Sequence, residues 1–138
     1  MMSLIVDTLL NVGKTLFGLR VELAKARKDR KVDVAGFIEQ IATTIDATAA
    51  QLRDEIYPGG KCAELFGHSQ HLEAAIGDLI GPLKARELAD QLKEVNEIER
   101  LYGELRSDTA PERQRKLTLL DEAAGQFRAT AAFVRVAP

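Results

Sequence analysis

Apolar residues recur at alternating spacings of three and four positions along most of this chain. The longest run of this pattern lies near the N-terminus and consists of Ile5, Leu9, Val12, Leu16, Leu19, Leu23 and Ala26. Such spacing places side chains on one face of an α-helix, whereas a half-buried strand would need an apolar residue at every second position. Further segments repeat the pattern, with short connections between them. We therefore predict an all-α protein, an antiparallel up-down helical bundle of four to five helices.

Capping and turn residues indicate where the predicted helices begin and end. Ser3 is the predicted N-cap of the first helix, and the Tyr-Pro-Gly-Gly sequence at 57–60 ends the second. The Gly-Pro step at 81–82 separates the third helix from the fourth. Thr109 and Glu112 have the capping-box spacing at the start of the last helix. These signals predict a single domain, residues 1–138, with helices over approximately 3–31, 33–56, 61–80, 82–106 and 110–135.

The composition is typical of a globular chain. Apolar residues make up 46% of the 138 residues and charged residues 29%, so extensive disorder is not expected. A domain of this length buries about two-thirds of the surface of its unfolded chain. Cys62 is the single cysteine, which excludes an intrachain disulfide framework. Without a recognisable secretory signal, and with an N-terminal apolar run too short and too polar for a membrane span, we expect a cytoplasmic protein.

A basic cluster follows the apolar N-terminal run. It consists of Lys25, Arg27, Lys28, Arg30 and Lys31. Either these cations lie at the C-terminal end of the first helix, where the helix dipole favours them, or they form a patch for an anionic membrane surface or an acidic partner. Asp33 then caps the second helix, unless the two helices run together with a kink near Val32.

The charge distribution excludes one class of partner. The net charge is −2, and there is no basic recognition helix or basic stretch interleaved with aromatic residues, so we expect no nucleic acid as a partner. Residues 1–31 hold seven Lys and Arg against three Asp and Glu, whereas residues 32–60 hold one against five. A basic segment beside an acidic one can pair internally as readily as it can bind a partner.

Residues that could carry chemistry are few. Glu64, His68 and His71 can share one face of the third helix, but a metal site normally takes ligands from a second element, and no pattern supplies them. The Gly-Gly-Lys sequence at 59–61 lacks the spacing and the following Ser or Thr of a phosphate-binding loop. Cys62 has no partner cysteine and is interpreted as a small buried apolar residue. We predict no metal, no cofactor and no catalytic residue, hence a protein that is not an enzyme.

The first helix has a wider apolar surface than one neighbouring helix requires. A second row of Val6, Leu10, Phe17 and Val21 lies beside the first row. Such a helix either occupies the centre of a bundle or covers another surface with its apolar face. The sequence leaves open whether it is a fifth member of the bundle or an extension of the second helical hairpin.

Three further segments resemble one known group of domains. They are 58–65 (PGGKCAEL), 76–81 (IGDLIG) and 120–128 (LDEAAGQFR). Together they resemble the helical N-terminal domains of bacterial signalling proteins that are fused to STAND-type NTPases and other immunity effectors. Those domains are similar in architecture to the four-helix cell-death bundles of fungal HeLo and plant coiled-coil proteins. Because no NTPase or sensor region follows Pro138, we expect either an excised domain or a stand-alone version.

The resemblance implies a function for the first helix. In such domains an N-terminal amphipathic helix can be released to perturb membranes, and no catalytic residue is transferred with the resemblance. The implied membrane or partner face consists of Leu4, Ile5, Leu9, Leu10, Val12, Leu16 and Phe17. We therefore expect a non-enzymatic signalling or effector module, of bacterial immunity or cell death, that associates with membrane on activation. The alternative is a plain protein–protein interaction bundle, an adaptor or oligomerisation domain, in which the first helix stays buried and the partner is another protein domain or a second copy.

Overall fold

The fold is entirely helical over the part of the chain that the structure describes. A computed structural model describes residues 4–94 and 97–138, with only the backbone described at Leu4 and Glu97. The helices are α1 (Leu4–Gly18), α2 (Arg20–Leu23), α3 (Lys28–Arg53), α4 (Gly59–Ile80), α5 (Pro82–Lys93), α6 (Glu97–Ser107) and α7 (Ala110–Val136). The all-α prediction is confirmed. The predicted N-cap Ser3 lies outside the described residues.

The first predicted helix, 3–31, is divided in the structure. Helix α1 ends at Gly18, α2 is a single turn, and α3 already begins at Lys28 rather than near residue 33. Arg27 has an extended backbone (φ −60°, ψ 151°), which interrupts the helical path before α3. Leu23 and Ala26 are nevertheless buried. The four-three pattern continued through the turn because the turn itself packs on the core, and the pattern alone could not show the break.

The other predicted boundaries vary in accuracy. Predicted helices 61–80 and 110–135 start and end within two residues of α4 and α7. The capping box at Thr109 is present, with the Thr109 hydroxyl accepting from the Glu112 backbone N–H and the Glu112 carboxylate accepting from the Thr109 N–H. The predicted helix 82–106 is described as two helices, α5 and α6. Helix α3 ends earlier than predicted, at Arg53, and Glu55 then adopts a positive φ of 61°.

Helices α3 and α7 form a long antiparallel pair. Ion pairs join Arg53 to Asp121, Asp46 to Arg128 and Glu39 to Arg135, in opposite order along the two helices. The Lys31 ammonium also donates to the Ala137 carbonyl at 2.7 Å. All three ion pairs are partly exposed, so each contributes only about 0.2–1 kcal/mol. They fix the relative position of the two helices, while the apolar contacts between them supply most of the stability.

Helix α1 lies beside α7 and runs parallel to it. Gly13 of α1 meets Ala123 and Phe127, and further along the chain the guanidinium of Arg20, in α2, lies 5.4 Å from the centre of the Phe133 ring. The order of contacts is therefore the same in both helices. A hydrogen bond from Asn11 to Gln91 (3.2 Å) connects α1 to α5. This parallel pair departs from a wholly antiparallel arrangement.

The remaining long helices pack in antiparallel pairs. Helix α4 reverses direction into α5 at Gly81, whose φ of 92° is accessible mainly to glycine. The Arg30–Asp78 and Thr44–His68 contacts show that α3 and α4 also run in opposite directions. Helix–helix contacts thus join α1 to α7, α7 to α3, α3 to α4, α4 to α5 and α5 to α1. Among these neighbours, α1 and α7 run parallel, as the order of their contacts shows.

A single apolar core lies inside this circuit. All the long helices contribute fully buried side chains, and Phe127 is among the largest of them. The fully buried residues of α3, α4 and α7 include Ile38, Ile41, Ile45, Leu65, Leu72, Ile76, Phe127 and Val134. Apolar residues at three-four spacing along α3, from Val34 to Leu52, are buried, whereas Ile56 lies beyond the end of the helix and is 52% exposed.

Candidate interaction surface

The structure places the predicted membrane-face residues of α1 mainly in the core. Ile5, Leu9, Val12 and Leu16 are no more than 1% exposed. Leu10 is 8% exposed, and the side chain of Leu4 lies outside the described residues. Phe17 differs from the others because it is 37% exposed. As the pattern predicted, these side chains share one face of α1, but that face packs against the neighbouring helices.

The second apolar row of the N-terminal segment divides into two halves. Val6 and Leu10 are buried, whereas Phe17 and Val21 are exposed. The Arg20 guanidinium stacks over the Phe17 ring at 4.3 Å and donates to the Phe17 carbonyl at 2.9 Å. An arginine so placed holds the aromatic ring in position without covering it completely. The surplus apolar surface inferred from the sequence is therefore exposed at Phe17 and Val21 and covered at Val6 and Leu10.

An open groove lies where the exposed ring of Phe17 meets α7. Its volume is about 560 Å³, and we call it the α1–α7 groove. It is lined by Lys14, Phe17, Glu122, Gly125, Gln126 and Ala129. Apart from the backbone of α7 itself and the two neighbouring residues, no heavy atom lies within 4 Å of the position that a Cβ would take at Gly125. The absence of a side chain at Gly125 thus helps keep this groove open.

The predicted basic patch divides between structural and exposed cations. Arg30 donates to both carboxylate oxygens of Asp78 and, at 2.7 Å, to the Ala75 carbonyl. The hydrogen bonds with Asp78 raise the pKa of Arg30, and the same contact lowers the pKa of Asp78. Lys31 donates to the backbone carbonyls of Ala137 and Pro138. Two of the five predicted patch residues therefore join helices together.

The other cations of the patch are exposed. These residues are Lys25, Arg27 and Lys28, and Arg27 lies 3.5 Å from the Asp29 carboxylate. The interpretation that the whole cluster is stabilised at a helix C-terminus was wrong, because Lys28, Arg30 and Lys31 lie in the first turn of α3. The dipole disfavours cations there. For Arg30 and Lys31, hydrogen bonds to neighbouring helices compensate.

His68 takes part in a contact between α3 and α4. Its Nε2 lies 3.1 Å from the Thr44 hydroxyl, and its ring meets Phe37 edge to face. Since the Thr44 hydroxyl donates its proton to the Gln40 carbonyl, Nε2 carries the hydrogen and donates to Thr44. Burial lowers the pKa of His68. Burial in this helix–helix contact thus disfavours the protonated form of the imidazole.

Of the other residues considered for chemistry, Glu64 lies close enough to His68 to line the same pocket. Glu64 pairs with Lys61 at 2.8 Å, and among the described residues there is no group of three His, Cys, Asp or Glu side chains able to hold a metal ion. Cys62 is half-buried, and burial raises the pKa of its thiol. A raised thiol pKa lowers the fraction of reactive thiolate at neutral pH.

A buried lysine was missed by the sequence reasoning. Lys116 donates to Asp108 at 2.8 Å and to Glu104 at 3.3 Å, and its side chain is only 7% exposed. Burial acts to lower the pKa of Lys116, but the hydrogen bonds to the two carboxylates outweigh it and the pKa is raised. The signal was available: Lys116 precedes Leu120 by four positions and so belongs to the inward row of α7. It ties the start of α7 to the end of α6.

No protein-family model, no curated protein and no solved structure matches this chain. The resemblance to STAND-associated and cell-death domains therefore stays a prediction. Within the described ranges, no helix combines the length and apolarity needed to cross a membrane.

Proposed function

We propose that this protein is a non-enzymatic protein–protein interaction bundle whose first helix stays buried while it works. On this proposal α1, α3, α4, α5 and α7 form an up-down bundle, and its surface binds another protein domain or a second copy in the cytoplasm. The observation that supports it is the burial of α1. The side chains no more than 1% exposed in this helix are Ile5, Val6, Leu9, Val12 and Leu16.

The size of this buried surface argues against easy release of the helix. Burying one large aliphatic side chain contributes about 1.5–3 kcal/mol, so the five together contribute roughly 8–15 kcal/mol. The total stability of a domain is about 5–15 kcal/mol. Releasing α1 into water would therefore cost about as much as unfolding the whole protein. A surface that binds its partner while α1 stays packed in the bundle does not require this free energy.

A disulfide that fastens α1 to α7 tests the proposal directly. A Cβ at Gly13 would lie 3.2 Å from the Cβ of Gln126, within a few tenths of an ångström of the usual separation in a disulfide. We propose Gly13→Cys with Gln126→Cys in a Cys62→Ala background, so that no other thiol competes. The oxidised protein is expected to retain partner binding or self-association at the level of its reduced form. Loss of association on oxidation, restored by reduction, would contradict the proposal.

Hydrogen exchange provides a second measurement on the unmodified protein. Amides of residues 8–18, which have acceptors within the helix, are expected to exchange as slowly as those of the α3 and α7 core, with and without anionic lipid vesicles. Faster exchange in α1 on addition of vesicles would refute permanent burial.

The membrane-acting effector remains the second candidate, and one observation favours it. Phe17 and Val21 are exposed beside the turn at 24–27, and Lys25, Arg27 and Lys28 are exposed after it. Apolar and cationic side chains are thus available to an anionic bilayer at the point where α1 would detach. On this candidate, vesicle leakage occurs with the reduced double-cysteine protein and stops on oxidation. Leakage in neither form, or equal leakage in both, excludes release of α1 as its cause.

A further inference from the structure

We propose that the α1–α7 groove binds the same groove of a second copy, giving a dimer related by a two-fold axis. This inference rests on the proposed function and names the partner for it. The proposed occupant is an identical chain because the groove has both an apolar floor and opposite charges on its two walls. Such a surface is complementary to itself after a two-fold rotation.

The apolar part of the groove extends along two helices. Phe17 of α1 and Ala129 of α7 line it, and Gly125 leaves room for close approach. Ala132 and Val136 continue the same outward face of α7 and are also exposed. From residue 122 to residue 136 this face spans about 21 Å at 1.5 Å per residue. Its length suits helix-on-helix packing between two copies.

The charges beside the groove distinguish it from the opposite flank of α7. On the flank facing α3, Asp121, Arg128 and Arg135 each have an ion-pair partner. Lys14 and Glu122 both line the groove, yet within the described part of the chain neither has an ion pair. Two-fold rotation brings Lys14 of one copy to Glu122 of the other, and does so twice. The pairing that the monomer lacks is thereby made between copies.

The same charges argue against a lipid surface as the occupant. An anionic bilayer would be attracted by Lys14 but repelled by Glu122 on the facing wall. The exposed cations Lys25, Arg27 and Lys28 do not line this groove. A second copy therefore matches the charges of the α1–α7 groove better than an anionic membrane does.

Charge reversal followed by mixing tests the contact between copies. Lys14→Glu and Glu122→Lys are each expected to weaken self-association on the order of tenfold, because each places like charges together at both symmetric contacts. An equimolar mixture of the two variants is expected to associate again, since every contact in the mixed dimer then joins opposite charges. The measurement is sedimentation equilibrium of the full chain. Association unaffected by either variant, or absent from the mixture, would overturn the proposal.

A matched pair of glycine substitutions tests the groove itself. Gly125 and Gly103 are both exposed helical residues with no heavy atom within 4 Å of a Cβ position. Gly125→Lys is expected to weaken self-association by at least about tenfold, because a buried, unpaired charge at an interface is costly. Gly103→Lys, on α6, is expected to leave it unchanged. If the two variants self-associated equally, the contact between copies would lie outside the α1–α7 groove.

The outcomes separate this inference from the proposed function. A protein that is monomeric at every concentration, with α1 protected from exchange, overturns the dimer and leaves a partner of another kind. A monomer that binds anionic vesicles, and loses that binding in Lys14→Glu, overturns the dimer and assigns the groove to membrane. Exposure of α1 on addition of lipid overturns the proposed function, whatever the state of association.

Discussion

Gly13 allows α1 and α7 to approach each other closely. A Cβ there would meet the Gln126 Cβ at 3.2 Å and the Phe127 ring at 3.4 Å. Gly13→Leu is expected to destabilise the protein by about 1–3 kcal/mol, because the larger side chain overpacks this contact. Gly103→Leu faces open space and is expected to stabilise by about 0.5–1 kcal/mol through helix propensity. Urea denaturation measures both, and equal stabilities for the two variants would refute the close packing.

His68 makes the stability of the protein depend on pH. Burial lowers its pKa in the folded state below the usual 6.5, while Glu64 acts to raise it and His71 to lower it further. Below pH 6.5 the unfolded chain therefore binds a proton more readily than the folded protein, and stability falls as the pH decreases. His68→Gln is expected to show a smaller loss over the same interval. Urea midpoints measured at several pH values check this, and identical pH profiles for both proteins would contradict it.

At the scale of single elements, the start of α7 is strongly specified. Thr109 and Glu112 satisfy each other's backbone N–H groups, and hydrogen bonding to Thr109 lowers the pKa of the Glu112 carboxyl. Thr109→Ala is expected to cost about 1 kcal/mol, because the capping hydrogen bond is lost. Thr118→Ala is the matched control, an exposed position within the same helix, and is expected to change stability little. Thermal or urea unfolding that ranks the two variants equally would show that the cap contributes nothing.

The turn between α1 and α3 shows how contacts between elements override local preference. Cations at the first turn of α3 are unfavourable for the helix dipole. Arg30 is held there by Asp78 and the Ala75 carbonyl of α4, and Lys31 by the end of α7. Both sets of partners are distant in sequence. The local pattern therefore identified the cations but could not identify what they bind.

At the scale of the whole molecule, α1 belongs to the core. Two neighbouring residues allow a direct comparison: Leu16 is fully buried and Phe17 is 37% exposed. Leu16→Ala is expected to cost about 2–5 kcal/mol, through lost burial and the cavity left behind. Phe17→Ala is expected to cost less than about 1 kcal/mol, although it removes the larger side chain. Denaturant unfolding of the two variants checks this, and the reverse ranking would mean that α1 is not packed as described.

Local spacing and capping in the sequence determined much of this fold. The four-three repeats predicted helices throughout, the capping box placed the start of α7, and the Gly-Pro step placed the turn before α5. These features are readable because helix periodicity and capping depend on residues only a few positions apart. The same reasoning selected α1 as the most apolar helix, and all of its first apolar row from Ile5 to Leu16 is buried.

Only the tertiary structure decided how these surfaces meet. Periodicity marks a side chain as apolar-facing, but it does not show whether a neighbouring helix covers that face, as at Leu16, or leaves part of the side chain exposed, as at Phe17. The parallel α1–α7 pair and the groove beside Gly125 likewise depend on tertiary contacts. Each depends on which helices become neighbours. Those contacts join residues far apart in the chain, and a local pattern carries no information about them.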